Sequence, residues 1–114
     1  MTAFLISGIA RTQDIVGEPY ADRDGVTYLP MSRQPIMIHS ATGEQLRDLL
    51  KKALAREDMA VTIFTEELFG TYNDEDNRAS VAGFGTDELN LVGIGLRGRK
   101  NAVDRLLKDV PLHK

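Results

Sequence analysis

Two apolar runs with an amphipathic segment between them constrain this chain more than anything else in it. "PIMIHS" (35–40) and "MAVTIF" (59–64) flank "ATGEQLRDLLKKALARED" (41–58). Within the middle segment Leu46, Leu49, Leu50, Ala53 and Leu54 recur at the spacing of one helix face. Thr42, followed three residues later by Gln45, is a capping box and marks where that helix begins. The flanking runs are too short to be helices and are continuously apolar, as buried strands are. A strand, helix, strand unit within one sheet crosses over right-handed and leaves its strands parallel, so residues 35–64 predict a parallel pair.

The same layout continues downstream. "LNLVGIGLRG" (89–98) reads as a third core strand, and its Gly93 and Gly95 predict that another backbone or helix comes close. "RKNAVDRLLKDV" (99–110) forms a helix ended by Pro111. Upstream, Phe4, Leu5, Ile9 and Ala10 make a short helix over 3–11 that is too apolar to lie free on a surface. "GEPYADRDGVTYLP" (17–30) predicts a hairpin turning at Asp24-Gly25, short and at an edge because Pro19 and Pro30 bracket it. Core strands alternating with helices give an α/β domain of three layers. With 114 residues, 42% of them hydrophobic, the chain suffices for one such domain and not for two. One oddity remains: an apolar helix opens the chain with no strand ahead of it, which suggests that a first strand is missing.

Charge and composition narrow the function classes. Seventeen acidic against fourteen basic side chains leave a net charge of -3, so no overall basic field draws in nucleic acid or an anionic membrane. The absence of cysteine excludes disulfides, thiolate metal sites and thiol nucleophiles, and suits a reducing cytoplasm. "MTAFLISGIA" has no basic leader and is far shorter than the roughly 20 residues that cross a bilayer, so no membrane partner is expected.

The densest chemistry is "TEELFGTYNDEDNR" (65–78), with five carboxylates in eleven residues. A calcium loop begun at Asp74 would need a glycine sixth and a glutamate twelfth, and it meets Ala79 and Gly85 instead. With His39 in a strand and His113 at the terminus, no histidine metal motif is available, and neither a metal nor a cofactor is expected. Capping explains most of these acids: Thr65 can cap the turn that holds Glu66 and Glu67, and Asp74 a helix with Glu75 and Asp76 in its first turn. What capping leaves over is position. Thr65, Glu66 and Glu67 stand at the carboxyl end of a core strand, where open α/β sheets bind ligands. The cations Arg97, Arg99 and Lys100 in "RGRKN" offer a phosphate cradle at a helix start. Against it, Arg105 and Lys108 alternate with Asp104 and Asp109 as on an ordinary solvated helix face. No nucleophile elbow occurs, and Ser40 and His39 face opposite sides of their strand. "GFG" (83–85) lacks the third glycine of a dinucleotide fingerprint, and "GIG" (93–95) lies within a strand.

"YLPMSRQPIMI", "TEELFGTYNDEDNRASV" and "LNLVGIGLRGRKNAVDRLLKDVPLHK" together resemble an uncharacterised bacterial family, the domain of unknown function numbered two thousand. Its members resemble the type II peptidyl-tRNA hydrolase fold. The resemblance implies a mixed four-stranded sheet between helices, with a first strand in the sheet interior ahead of the segment matching "TAFLISGIA". That strand is absent from residues 1–114, so a late start, another segment or a partner chain would fill its place. The hydrolase chemistry carries over poorly. Its lysine belongs to the absent region, its aspartate falls near Thr65 and Glu66, and its threonine on the last strand meets Asn90. Glu66 could stand for the carboxylate and Asn90 could orient a carbonyl.

The expectation is therefore a cytoplasmic, dimeric domain of peptidyl-tRNA-hydrolase-like fold. It binds a small or RNA-like ligand at Thr65, Glu66, Glu67 and Asn90 without established catalysis. The rivals are a peptidyl-tRNA hydrolase or related esterase, and a purely structural dimerisation module.

Overall fold

The computed structural model describes residues 1–12 and 15–112. The fold is mixed α/β, with four helices and two small antiparallel sheets among the described residues. Helix α1 (Thr2–Ile9) is followed by a hairpin of β1 (Tyr20–Ala21) and β2 (Thr27–Tyr28), and then by α2 (Gly43–Leu54). Strand β3 (Ala60–Thr65) runs into a 3-10 turn over Glu66–Gly70 and into α3 (Asp74–Ala82). A second 3-10 turn, Thr86–Glu88, leads to β4 (Leu91–Arg97) and α4 (Lys100–Leu106).

The centre is the β3–β4 pair, in register from Ala60 opposite Arg97 to Thr65 opposite Leu91, with an irregularity between Phe64 and Thr65. Side chains alternate across a strand, so the pair offers two faces. On one, Thr62 donates its hydroxyl to the Leu5 carbonyl of α1 at 3.0 Å, and Phe64 meets Phe4 edge-on at 5.3 Å between ring centres. On the other, Val61, Ile63 and Ile94 pack with Leu46 and the buried Leu50 of α2. Leu5, Phe64 and Leu68 form the core under α1, and Leu50, Leu89 and Leu91 the core under α2. Gly93 and Gly95 have the role expected of them. A Cβ on Gly93 would fall 2.6 Å from Met1 Sδ, and one on Gly95 would run into Thr62 Oγ1, with Leu5 and Ile9 of α1 at 3.5 Å.

Local signals in the sequence are also realised. Thr42 Oγ1 accepts from Gln45 N–H while the Gln45 side chain accepts from Thr42 N–H, the reciprocal box that starts α2. The hairpin turns with Gly25 at φ +87°, the left-handed region that glycine enters without penalty. Below the paired residues the arm continues through an isolated bridge between Val16 and Ser32.

Four expectations are not met. Residues 35–40 form no strand: their backbone pairing is an isolated bridge of His39 with Leu112, and Ile36, Met37 and Ile38 stay exposed. An apolar run carries no information about its pairing partner, and a strand without one is not stable. The parallel crossover therefore does not form, because β3 pairs only with β4, and antiparallel. The mixed four-stranded sheet is likewise not seen. Alternate residues of β4 must aim their N–H and C=O groups away from β3, and these find no backbone partner among the described residues. The fourth is local. Asn73, not Asp74, caps α3, accepting from Asp76 N–H at 2.8 Å, and Thr65 makes no capping bond.

Candidate functional site

Thr65, Glu66, Glu67 and Asn90 do come together. The register that sets Thr65 opposite Leu91 brings the 3-10 turn after β3 beside the residue ahead of β4. There Glu66 N–H donates to the Asn90 carbonyl at 2.9 Å, closing the end of the sheet. Thr65 is 2% exposed, the one polar residue in the core among the described residues. Glu66, the expected carboxylate, contributes its backbone and turns its side chain to solvent. The carboxylate that meets Asn90 is that of Glu67, whose Oε1 accepts from Asn90 Nδ2 at 2.5 Å. A 3-10 turn advances about 120° per residue, so one step along it decides which acid faces inward. Composition could not choose between two adjacent glutamates.

Electrostatics fix the state of this carboxyl. The Asn90 amide, then Glu67's own backbone N–H and, after a smaller opposing cost of desolvation, the Thr65 hydroxyl hold it below the usual glutamate value. Glu67 is thus ionised near neutral pH. Its Oε2 is shielded from solvent and makes no well-formed hydrogen bond. A shielded anionic oxygen without a well-formed hydrogen bond is unusual, because such groups ordinarily find partners in good geometry.

Beyond Leu68, the residue after Glu67, an open cleft of about 400 Å³ lies between α1, the sheet and α3. Phe4, Ile63, Leu68, Val81 and Ala82 give it an apolar floor, and Asp74, Asn77 and Arg78 a polar rim. Neither Glu67 nor Asn90 lines it. Arg78 is held by Asp74 at 2.7 Å, and Asn77 by the Thr71 hydroxyl, so the rim is internally paired. Nothing in the sequence joined these residues, since Phe4 and Arg78 meet only through the tertiary fold.

The cationic residues do not join this site. Arg97 pairs with Ala60 at the far end of β4, roughly 20 Å from Thr65 at the ordinary rise per residue. Lys100 is engaged by Asp104 at 2.9 Å, and Asp58, already bonded to Arg56, also feels the charge of Arg99. Arg99 occupies the capping position of α4 without a capping bond. His39 is structural, its Nδ1 lying 2.9 Å from the Val110 carbonyl, and His113 lies outside the described residues. Among the described residues no group of three metal-binding side chains converges, and no helix is long and apolar enough to cross a membrane.

The family model for "Protein of unknown function (DUF2000)" matches residues 1–114. The chain belongs to this family. It is also similar to a solved structure, the protein of unknown function Atu0240 from Agrobacterium tumefaciens strain C58, with 37% identity and a TM-score of 0.89. That match covers 99% of this chain and 84% of the other. No curated protein matches. Membership of the family thus carries the fold, and the chemistry rests on the residues themselves.

Proposed function

We propose that this family member is a cytoplasmic, peptidyl-tRNA-hydrolase-like binding module, not itself catalytic, that takes a small ligand at the ends of β3 and β4. The observation that carries the reading is the shielded Glu67 Oε2, an ionised acceptor that makes no well-formed hydrogen bond. Such a group recognises a hydrogen-bond donor, above all an ammonium or amide nitrogen. The neighbourhood favours the same class. Glu66, Asp74, Glu75, Asp76, Asp87 and Glu88 surround this end in sequence, which disfavours RNA phosphates there, and the cations stand at the opposite end. The test is an amide-resolved NMR titration with primary amines, small amides and nucleoside monophosphates. Amines or amides should move the signals of Glu67 and Asn90, and Glu67→Gln should abolish the response. Movement confined to Arg97–Lys100 with the nucleotides would sink the reading.

The hydrolase alternative draws on the same pair, because an ionised carboxylate can accept a proton from attacking water. Asn90 does not help it, since its amide is committed to Glu67. Release of peptide from peptidyl-tRNA, lost in Glu67→Gln, is the result that would favour the enzyme.

The finer fold expectation belongs with this proposal. A further strand laid along the outer edge of β4 completes the hydrolase-like sheet. The unpaired backbone groups of that edge support it. In residues 1–114 alone, every second amide of β4 should exchange rapidly with solvent; uniform protection would count against an open edge.

A further inference from the structure

The hairpin arm and the strand-like run after it stand apart from the core. The radius of gyration is 16.0 Å, against about 13 Å for a compact chain of this length, and the molecule extends 52 Å along its longest axis. The arm is held by its own bonds: Arg33 N–H to the Ile15 carbonyl at 2.7 Å, Gly17 N–H to that of Met31 at 3.0 Å, and Tyr28 Oη to Asp22 at 2.8 Å. A two-stranded hairpin alone in water is marginal. Its return half nonetheless leaves Tyr28, Leu29 and Met31 exposed, and the chain runs on directly into exposed Ile36, Met37 and Ile38. Leu29 is 84% exposed and Met37 63%.

Charge identifies what covers this surface. Residues 25–43 include one charged side chain, Arg33, in a chain that is 27% charged overall. Two copies of a chain with net charge -3 repel each other over most of their surfaces, but not here. A two-fold axis sets a patch against itself, so a patch with a single charge is close to self-compatible, whereas one built for a charged partner is not. Strand edges in the arm can add main-chain bonds between copies.

We propose that the return half of the arm (25–33) and the run 35–38 form the interface of a homodimer, its occupant a second copy of this chain. This stands apart from the ligand reading, because it uses none of Thr65, Glu66, Glu67 or Asn90. Light scattering on the 114-residue chain should give twice the 12.6 kDa monomer mass. Leu29→Asp and Met37→Lys should each halve that mass with unchanged circular dichroism, as both side chains are exposed. Tyr72→Asp, 94% exposed and outside the patch, should leave it unchanged. In a half-labelled sample, contacts between copies should involve the methyl groups of Leu29, Met31 and Ile36–Ile38. This second measurement decides the matter without any variant. A monomer at the highest soluble concentration, a mass indifferent to both charged variants, or contacts between copies confined elsewhere would overturn the proposal.

Discussion

Asn90 donates its side-chain amide to Glu67 at 2.5 Å across 23 residues of chain, and the same asparagine's carbonyl receives the N–H of Glu66. One residue thus closes the sheet end through its backbone and fixes a carboxylate through its side chain. The amide is the first cause of the lowered Glu67 pKa, so Asn90→Ala should raise it toward the ordinary 4.5. A carboxyl held below its unfolded value favours folding at pH above that value and loses the contribution as pH falls through its folded value. The stability deficit of Asn90→Ala should therefore be present near neutral pH and shrink below about 4.5. Carbon-detected titration of the Glu67 carboxyl, with thermal melts across that range, checks both the shift and its sign.

Gly95 should be less replaceable than Gly93. A Cβ on Gly93 meets Met1 Sδ at 2.6 Å, the end of a flexible side chain that can swing aside. On Gly95 it would overlap Thr62 Oγ1, which is pinned by its bond to the Leu5 carbonyl, with Ile9 and Leu5 behind it. Gly95→Ala should cost about 1–3 kcal/mol, the range for overpacking a core. Gly93→Ala should cost clearly less. Urea denaturation of the two variants compares them directly.

These contrasts mark what could be read from the chain and what could not. The capping box at Thr42 and the turn at Gly25 are local devices, complete within a few residues, and both stand where the sequence indicates. Gly93 and Gly95 announced a close neighbour, because two glycines in an apolar strand have no other evident use, although they did not name α1. Residues 35–40 misled for the opposite reason: strand formation depends on a partner that an apolar run does not specify. The site was legible in outline, since strand ends and clustered acids bring Thr65, Glu66, Glu67 and Asn90 under suspicion. Which glutamate turns inward is set by the 3-10 geometry after β3. The cleft floored by Phe4 and Val81 exists only once α1 and α3 have docked.

The capping box makes a quantitative prediction. Thr42 Oγ1 receives Gln45 N–H at 3.2 Å, and Thr42 N–H reaches the Gln45 side chain at 2.8 Å. The helix they start delivers the buried Leu49, Leu50 and Ala53 to the core. Thr42→Ala should destabilise the protein by about 1 kcal/mol, the typical loss of a cap. Thr42→Ser should lose only a fraction of that, because it keeps the hydroxyl. Equal losses in chemical denaturation would mean that the methyl group, and not the cap, matters.

At the tip of the arm, Asp22 gathers three donors: the N–H groups of Asp24 and Val26 on Oδ1, at 2.9 and 3.0 Å, and the Tyr28 hydroxyl on Oδ2 at 2.8 Å. The hydroxyl is the foremost cause that holds the Asp22 carboxyl below 3.8, and the carboxylate in turn pushes the Tyr28 phenol above 10.0. The lowered acid favours the folded arm above 3.8 and ceases to do so as pH falls through its folded value. The raised phenol favours it below 10.0 and ceases to do so as pH rises through its own. The arm should be best formed between those limits. Asp22→Asn should return the Tyr28 titration toward 10.0, seen by ultraviolet difference spectroscopy. Because the turn is built on the same acceptor, amide exchange should quicken across 20–28 in that variant while α2 and β3 keep their protection. A change spread evenly over the whole chain would show instead that the arm and the core unfold as one unit.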